Sequence, residues 1–193
     1  MAIQGLEDRI SAVRPHSDIY LARLVAGLVF VSQIAGNLNR VKIEARRLRS
    51  VAARRSMAYT KAIGFYMEAW AHLHACKLDQ ALHLFNAASR QPHILHTRVA
   101  VDALAGLALT LQLMRRFEGA AEAVRRMQDF ALETGHPACL TVARSCEARL
   151  ALMGGDLDTA LTWAQAASDE PVASELFIWL ENPALTRARA MIA

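Results

Sequence analysis

The sequence predicts an all-α fold, a solenoid of stacked helical hairpins with a period of about 40 residues. Alanine, leucine and arginine dominate its 193 residues, while glycine (9), proline (5) and aromatic residues (6%) are sparse. This mixture consists of strong helix formers, and 54% apolar content is ample for a core. A short phrase also recurs along the chain, which is typical of repeat architectures. We therefore expect helices and no strands.

The recurring phrase sets the register of the hairpins. Its last residue, which we call the anchor, recurs at intervals of 40, 39 and 40 residues. In each copy we expect a polar residue to end one helix, Leu or Phe to fill the turn, and Asp, Glu or Asn to cap the next helix. One hairpin cannot bury both its apolar faces, so neighbours must stack. The copies are Asn37-Leu-Asn-Arg-Val41, Lys77-Leu-Asp-Gln-Ala81, Arg116-Phe-Glu-Gly-Ala120 and Asp156-Leu-Asp-Thr-Ala160.

Helix breakers fall where this register requires loops. We call the two helices of each hairpin its first and second helix. Gly36 and Gly155 lie at hairpin turns, and Pro92 and Pro171 precede the first helices of new hairpins. The chain 1–193 then forms a single repeat domain of about four hairpins plus the first helix of a fifth. Its last helix should expose an apolar face at Leu180, Leu185, Ala188 and Ile192. The predicted helices are 4–13, 17–36, 38–53, 56–75, 78–90, 94–114, 117–134, 137–153, 157–169 and 172–193.

The net charge of +4 is concentrated in residues 40–55, which hold seven basic residues and one acidic residue. Such a segment could bind phosphates. Alternatively, its arginines cover the solvent side of a helix whose core side carries Val41, Ala45, Leu48 and Ala52. We favour this second interpretation and expect no direct DNA contact. Neutralising Arg46, Arg47 and Arg49 should then leave the fold intact.

Nothing in the sequence predicts an enzyme, a metal site or a cofactor. Cys76, Cys139 and Cys146 form an odd set without a C-x-x-C pair, which is typical of reduced thiols in the cytoplasm. The pairs His72 with Cys76 and His93 with His96 have ligand spacing, but neither has a second pair, so packing is the better interpretation. Cys146 near His136 or Asp156 could suggest a nucleophile, yet it lies on an apolar helix face. The apolar run 19–35 is interrupted by polar residues, so we expect no membrane span.

Ala81, Phe85 and Ala88 have the small, aromatic, small spacing of a tetratricopeptide second helix. The period, nearer 40 than 34, resembles the helical-repeat region of the large ATP-binding LuxR-type transcriptional regulators, the MalT-like family. The resemblance covers about residues 17–193. Three stretches carry it: Ala131-Leu-Glu-Thr-Gly-His-Pro137, Ala148-Arg-Leu-Ala-Leu-Met-Gly-Gly-Asp-Leu157 and Trp179-Leu-Glu-Asn-Pro-Ala-Leu-Thr-Arg-Ala-Arg189.

The resemblance implies a right-handed superhelix that senses a small-molecule inducer or a protein partner. In that family an NTPase domain precedes the repeats and a helix-turn-helix follows them. This sequence contains no phosphate-binding loop, because none of its nine glycines is followed by lysine. We therefore expect a non-catalytic fragment of a larger regulator, able to form a homodimer through its C-terminal helix. The alternative is a free-standing scaffold for protein–protein interaction.

The likeness to tetratricopeptide repeats also predicts a binding surface, because first helices line the concave side of such a superhelix. We call the predicted inward-facing positions the inner row. Aromatic and polar residues mixed in one groove suit a ligand or peptide. Alternatively, the first helices pack closely and the groove is closed; an accessible Trp70 would favour the open groove. The inner row comprises Arg23, Phe30, Gln33, Tyr66, Trp70, Asp102, Gln112, Ser145, Arg149, Asn182 and Arg189.

Overall fold

The computed structural model describes residues 2–12, 18–167 and 179–193, and throughout these residues the regular structure is helical, without strands. The all-α prediction is therefore confirmed for this part of the chain. A short 3₁₀ turn, Pro92–Ile94, lies between the fifth and the sixth α-helix of this part of the chain. These are α1 (Ala2–Ser11), α2 (Asp18–Ile34), α3 (Leu38–Arg54), α4 (Ala58–His74), α5 (Leu78–Ala88), α6 (Thr97–Leu113), α7 (Phe117–Glu133), α8 (Pro137–Gly154), α9 (Leu157–Ala166) and α10 (Pro183–Ile192).

The helices belong to two compact units, Met1–Leu95 and His96–Ala193. In the first unit, α2 packs on α3 and α4 on α5 as antiparallel hairpins, α3 packs against α4, and α1 covers α2. The core beneath α1 is aliphatic, because every third or fourth residue of α2 and α3 is a buried Val, Leu or Ala. Its buried members are Ile10, Ala22, Val25, Leu28, Leu48 and Val51.

In the second unit, α6 pairs with α7 and α8 with α9, while α6 also packs against α8 and α10 packs against both α8 and α9. Residues 100–110 of α6 are buried on all sides. A helix that is apolar all round must lie inside its unit. Asp102 and Thr110 are the polar exceptions, and the Thr110 hydroxyl donates to the Gly106 carbonyl at 2.6 Å.

Each of the four anchors is the fourth residue of a second helix and is buried, with at most 1% of its surface exposed. A small side chain at this position lets the two helices of a hairpin approach closely. Val41, Ala81, Ala120 and Ala160 thus occupy equivalent buried positions near the start of their helices.

The hairpin turns share a backbone conformation that the sequence shows only in part. Five residues before each anchor, φ is positive: 68° at Gly36, 54° at Cys76, 59° at Arg115 and 85° at Gly155. The amide that follows each of them donates to a carbonyl five residues back, as Lys77 does to His72 at 2.9 Å and Asp156 to Ala151 at 2.9 Å. This is the Schellman end of a helix, which favours glycine. Two of the four turns therefore place an L-residue where glycine fits better.

The predicted caps of the second helices are wrong by two residues. The capping positions are Asn37, Lys77, Arg116 and Asp156, and of these only the Asn37 and Asp156 side chains accept a backbone amide hydrogen bond. The carboxylate of Asp79 lies inside the first turn instead, where it faces the positive end of the helix dipole. Phe117, expected to fill its turn, is 52% exposed.

The predicted helix 172–193 is also wrong at its start, because residues 179–182 are not helical and α10 begins at Pro183. Residues 172–178 lie outside the described residues. Proline is favoured at the first position of a helix, and the Asn182 side chain accepts the amides of Ala184 and Leu185. Of the apolar face expected on this helix, Leu185, Ala188 and Ile192 are exposed, whereas Leu180 is buried.

Candidate ligand and partner surface

In the first unit the inner row does not line an open surface. Tyr66 and Trp70 on α4 are 1% and 8% exposed, and Gln33 on α2 is buried. The Trp70 ring stacks on the ring of His74, with centroids 4.1 Å apart. Trp70 is thus not accessible, which favours the alternative that the first helices pack closely and the groove is closed. Phe30 is half-buried and Arg23 alone is exposed among these positions.

In the second unit two members of the inner row, Ser145 and Arg149, meet at one carboxylate. Glu181, which precedes α10, is fully buried. One of its oxygens, Oε1, accepts the Ser145 hydroxyl at 2.5 Å and the Thr186 hydroxyl at 2.7 Å, while Oε2 lies 3.1 Å from Nη1 of Arg149. A buried carboxylate is stable only when it is paired and hydrogen-bonded, and these donors meet that requirement.

Asp102 and Arg98 of α6 bind the main chain of the same segment. The Asp102 carboxylate accepts the backbone amides of Leu180 at 3.1 Å and Glu181 at 3.2 Å. Arg98 donates to Asp102 at 3.2 Å and to the Glu181 carbonyl at 2.8 Å, and its guanidinium lies 4.5 Å from the centre of the Trp179 ring. We call these contacts together the Asp102–Glu181 network. Its members are Arg98, Asp102, Ser145, Arg149, Glu181 and Thr186.

The network recognises peptide groups as well as side chains. Nη1 of Arg149 donates to the Leu180 carbonyl at 2.6 Å, so α6 and α8 together hold both amides and both carbonyls of residues 180–181. Side chains from two neighbouring first helices thus converge on one extended dipeptide. Arg98 and Glu181 were missed by the sequence reasoning. The spacing of Arg98 and Asp102, four residues apart on one helix, was the available signal for Arg98.

The remaining inner-row residues of this unit lie apart from the network. Gln112 donates to the Leu150 carbonyl at 3.1 Å and thereby links α6 to α8. Asn182 caps α10, as described above. Arg189 is exposed and, with Arg149, lines a shallow cavity of about 380 Å³ whose other walls include Leu152 and Met153.

Although helix α3 is rich in arginine, one side of it lies in the core of the first unit. Its apolar side is confirmed, since Val41, Ala45, Leu48 and Ala52 are fully buried. Two of its arginines, however, pair with a buried carboxylate. Nε of Arg46 and Nη2 of Arg49 contact the carboxylate of Glu68 on α4 at 2.6 Å and 2.5 Å, and Glu68 is only 3% exposed.

We therefore no longer expect the fold to stay intact when Arg46, Arg47 and Arg49 are neutralised together. Removing the two arginines that pair with Glu68 would leave a buried charge unpaired, which is strongly destabilising. Arg47 differs, because it is 45% exposed and pairs with Glu44 at 3.6 Å. His72, one turn from Glu68, is buried, and this burial holds its pKa below the ordinary value despite the opposing effect of Glu68.

The Cys146 thiol is not arranged for nucleophilic chemistry. Cys146 is fully buried, and burial, with the nearby Glu181 charge, raises the pKa of its thiol well above the usual value. A protonated thiol is a poor nucleophile. Within residues 2–12, 18–167 and 179–193, no three His, Cys, Asp or Glu side chains lie close enough together to hold a metal ion.

No helix in the described part of the chain combines the length and the apolar character needed to cross a membrane. No family model, curated protein or solved structure matches the chain.

Proposed function

We propose that this chain is a non-catalytic, ligand- or partner-sensing repeat domain of a LuxR-type transcriptional regulator of the MalT-like kind. The proposal includes a right-handed solenoid of tetratricopeptide-like hairpins with a period near 40 residues. Two features support that architecture: anchors at the same position of four second helices, and left-handed turn residues five positions before them. The sequence resemblance supplies the link to regulation.

One observation carries the binding role: side chains of α6 and α8 converge on the main chain of residues 180–181. Three inner-row residues bind this segment. Asp102 and Arg149 contact its main chain, and Ser145 contacts the side chain of Glu181. Donors and acceptors held in fixed positions by helices are what a specific binding surface requires. The accessible part of the same row, Gln112 and Arg189, is then the place where an external inducer or partner makes contact.

A thermal-shift screen with sugars, small aromatic compounds and acyl compounds tests this role. A ligand that binds only the folded protein raises its melting temperature by mass action. We expect a compound that stabilises the wild type but not the double variant Gln112→Ala, Arg189→Ala. The matched control is Arg126→Ala, which removes an exposed arginine from α7, outside the inner row. Failure of every compound, or equal stabilisation of the double variant by every compound that stabilises the wild type, contradicts the proposal.

The second candidate is a free-standing scaffold that docks a peptide or a helix without a link to transcription. Recognition of main-chain amides and carbonyls by α6 and α8 favours it, since these groups occur in every peptide. The natural reading frame distinguishes the two. A helix-turn-helix encoded after the repeats supports the regulator, and a natural protein without any DNA-binding domain supports the scaffold.

A further inference from the structure

A cavity of about 290 Å³ lies among α8, α9 and α10 of the second unit and contains no inner-row residue. Its wall is mainly apolar, formed by small side chains such as Ala167, Pro183 and Ala188 together with the indole of Trp163. Met191, an adaptable side chain, borders it. The volume is at the lower end of the range for small-molecule pockets, about 300–1,000 Å³. The space therefore suits a compact ligand with an apolar body.

The polar groups of this cavity are hydrogen-bond donors. Arg187 is half-buried at its wall, and its Nε donates to the Ala164 carbonyl at 3.0 Å, which fixes the guanidinium. Among the described residues no carboxylate pairs with Arg187, although buried or half-buried arginines usually have such a partner. Thr141 also lines the wall, and its hydroxyl donates to the Pro137 carbonyl at 3.4 Å. The indole N–H of Trp163 is itself buried, so the indole contributes apolar surface to the cavity.

We propose that this cavity binds a small monocarboxylate with a compact apolar body, such as a short acyl or simple aromatic acid. The carboxylate pairs with the two Nη groups of Arg187, which match its planar geometry. The apolar body lies against Trp163 and the alanine side chains. A sugar finds too few polar partners on this wall, and a phosphate dianion finds one arginine only. The inference goes beyond the proposed function and stands without it, because none of these residues belongs to the inner row.

Hexanoate and its neutral analogue hexanamide test the proposal with the full chain. The chain has three tryptophans, so ¹⁵N-labelled protein gives three indole N–H signals, and Trp163→Phe identifies one of them. We expect saturable shifts of the Trp163 signal with hexanoate and at least about tenfold weaker binding of hexanamide, the loss expected for a charge-assisted pair. The signals of Trp70 and Trp179 should stay in place.

Two variants of α10 locate the site. Arg187→Gln should abolish the preference for hexanoate over hexanamide, whereas Arg126→Gln, which changes an exposed arginine of α7 outside the cavity, should keep it. Ala188→Leu fills the cavity without removing a polar group and should abolish both interactions; circular dichroism checks that each variant is folded. Equal binding of acid and amide, no response of Trp163, or hexanoate binding retained in Ala188→Leu overturns the proposal.

Discussion

Asp102 is the residue on which the described C-terminal segment depends most. It is fully buried, and its two oxygens accept the amides of Leu180 and Glu181 and one guanidinium N–H of Arg98. Asp102→Asn replaces one acceptor oxygen by an amide donor that faces these donors. We expect the free energy of unfolding to fall by about 3 kcal/mol, the scale for breaking a buried ion pair, as measured by urea titration. Asp129→Asn, an exposed site on α7, should change it by less than about 0.5 kcal/mol.

The buried His72 makes the stability of the protein depend on pH near neutrality. Its pKa is lowered in the folded state, chiefly by burial, so the unfolded chain binds a proton at higher pH than the folded chain does. The free energy of unfolding should therefore fall as pH drops through the ordinary histidine pKa of about 6.5. Urea titrations at pH 7.5 and 5.5 measure the effect. His72→Gln should lose less stability between these values than the wild type, and the exposed control His83→Gln should lose as much as the wild type.

Individual network residues were only partly predictable. Repeat counting assigned Asp102, Ser145 and Arg149 to one row, because residues on neighbouring first helices follow from the register. Glu181 could not be found in this way, since its position depends on an extended segment that lies between two helices. The burial of Trp70 and Tyr66 could not be predicted either, because periodicity does not reveal whether one side of a helix faces solvent or a neighbouring helix.

At the scale of elements, the left-handed turn residues are sites of removable strain. Arg115 has φ of 59° and an exposed side chain, so glycine relieves the steric cost without loss of packing. We expect Arg115→Gly to raise the free energy of unfolding by about 0.5–1 kcal/mol, after the entropy cost of glycine in the unfolded chain. Arg115→Ala, which removes the same side chain but keeps a Cβ at this φ, should not stabilise the protein. Chemical denaturation of both variants and the wild type decides the matter.

The anchors determine how closely the two helices of a hairpin approach. Ala120 is 1% exposed, whereas Ala121 on the same helix is exposed. Ala120→Leu should lower the free energy of unfolding by about 1–3 kcal/mol through overpacking, and Ala121→Leu should leave it within about 0.5 kcal/mol. Thermal and urea unfolding measure both. A tolerant Ala120 would mean that the hairpin does not need a small residue there.

Most helices were predictable because their apolar residues recur at helical spacing and their ends carry glycine or proline. Gly36 and Gly155 marked two turns directly, whereas Cys76 and Arg115 occupy the same conformation without any such signal. The start of α10 carried a local signal, Asn182 followed by Pro183, that the predicted helix 172–193 did not use. There, Asp102 binds the amides of residues 180 and 181, a contact from far along the chain that competes with helix formation.

For the whole molecule, we expect self-association through α10, which exposes a row of large apolar side chains. Leu185 is 50% and Ile192 86% exposed. Apolar surface of this kind is removed from water when two copies meet. Sedimentation equilibrium should show a dimer that the double variant Leu185→Lys, Ile192→Lys dissociates. Leu132→Lys, at an exposed position of α7, should leave it intact. A wild-type monomer at all concentrations contradicts this expectation.

In a simple stack of repeats each hairpin contacts only its neighbours, so folding can start anywhere and spread along the chain. The second unit departs from that scheme, because Asp102 and Leu180 are 78 residues apart in sequence yet hydrogen-bonded. Closing so long a loop costs entropy before its contacts form, so the first hairpin of this unit gains its polar partners late. On the ribosome, α6 emerges before residues 180 and 181, whose amides the Asp102 carboxylate accepts, have been synthesised. The closing of this loop then joins the first and last described helices of the unit into one cooperative folding step.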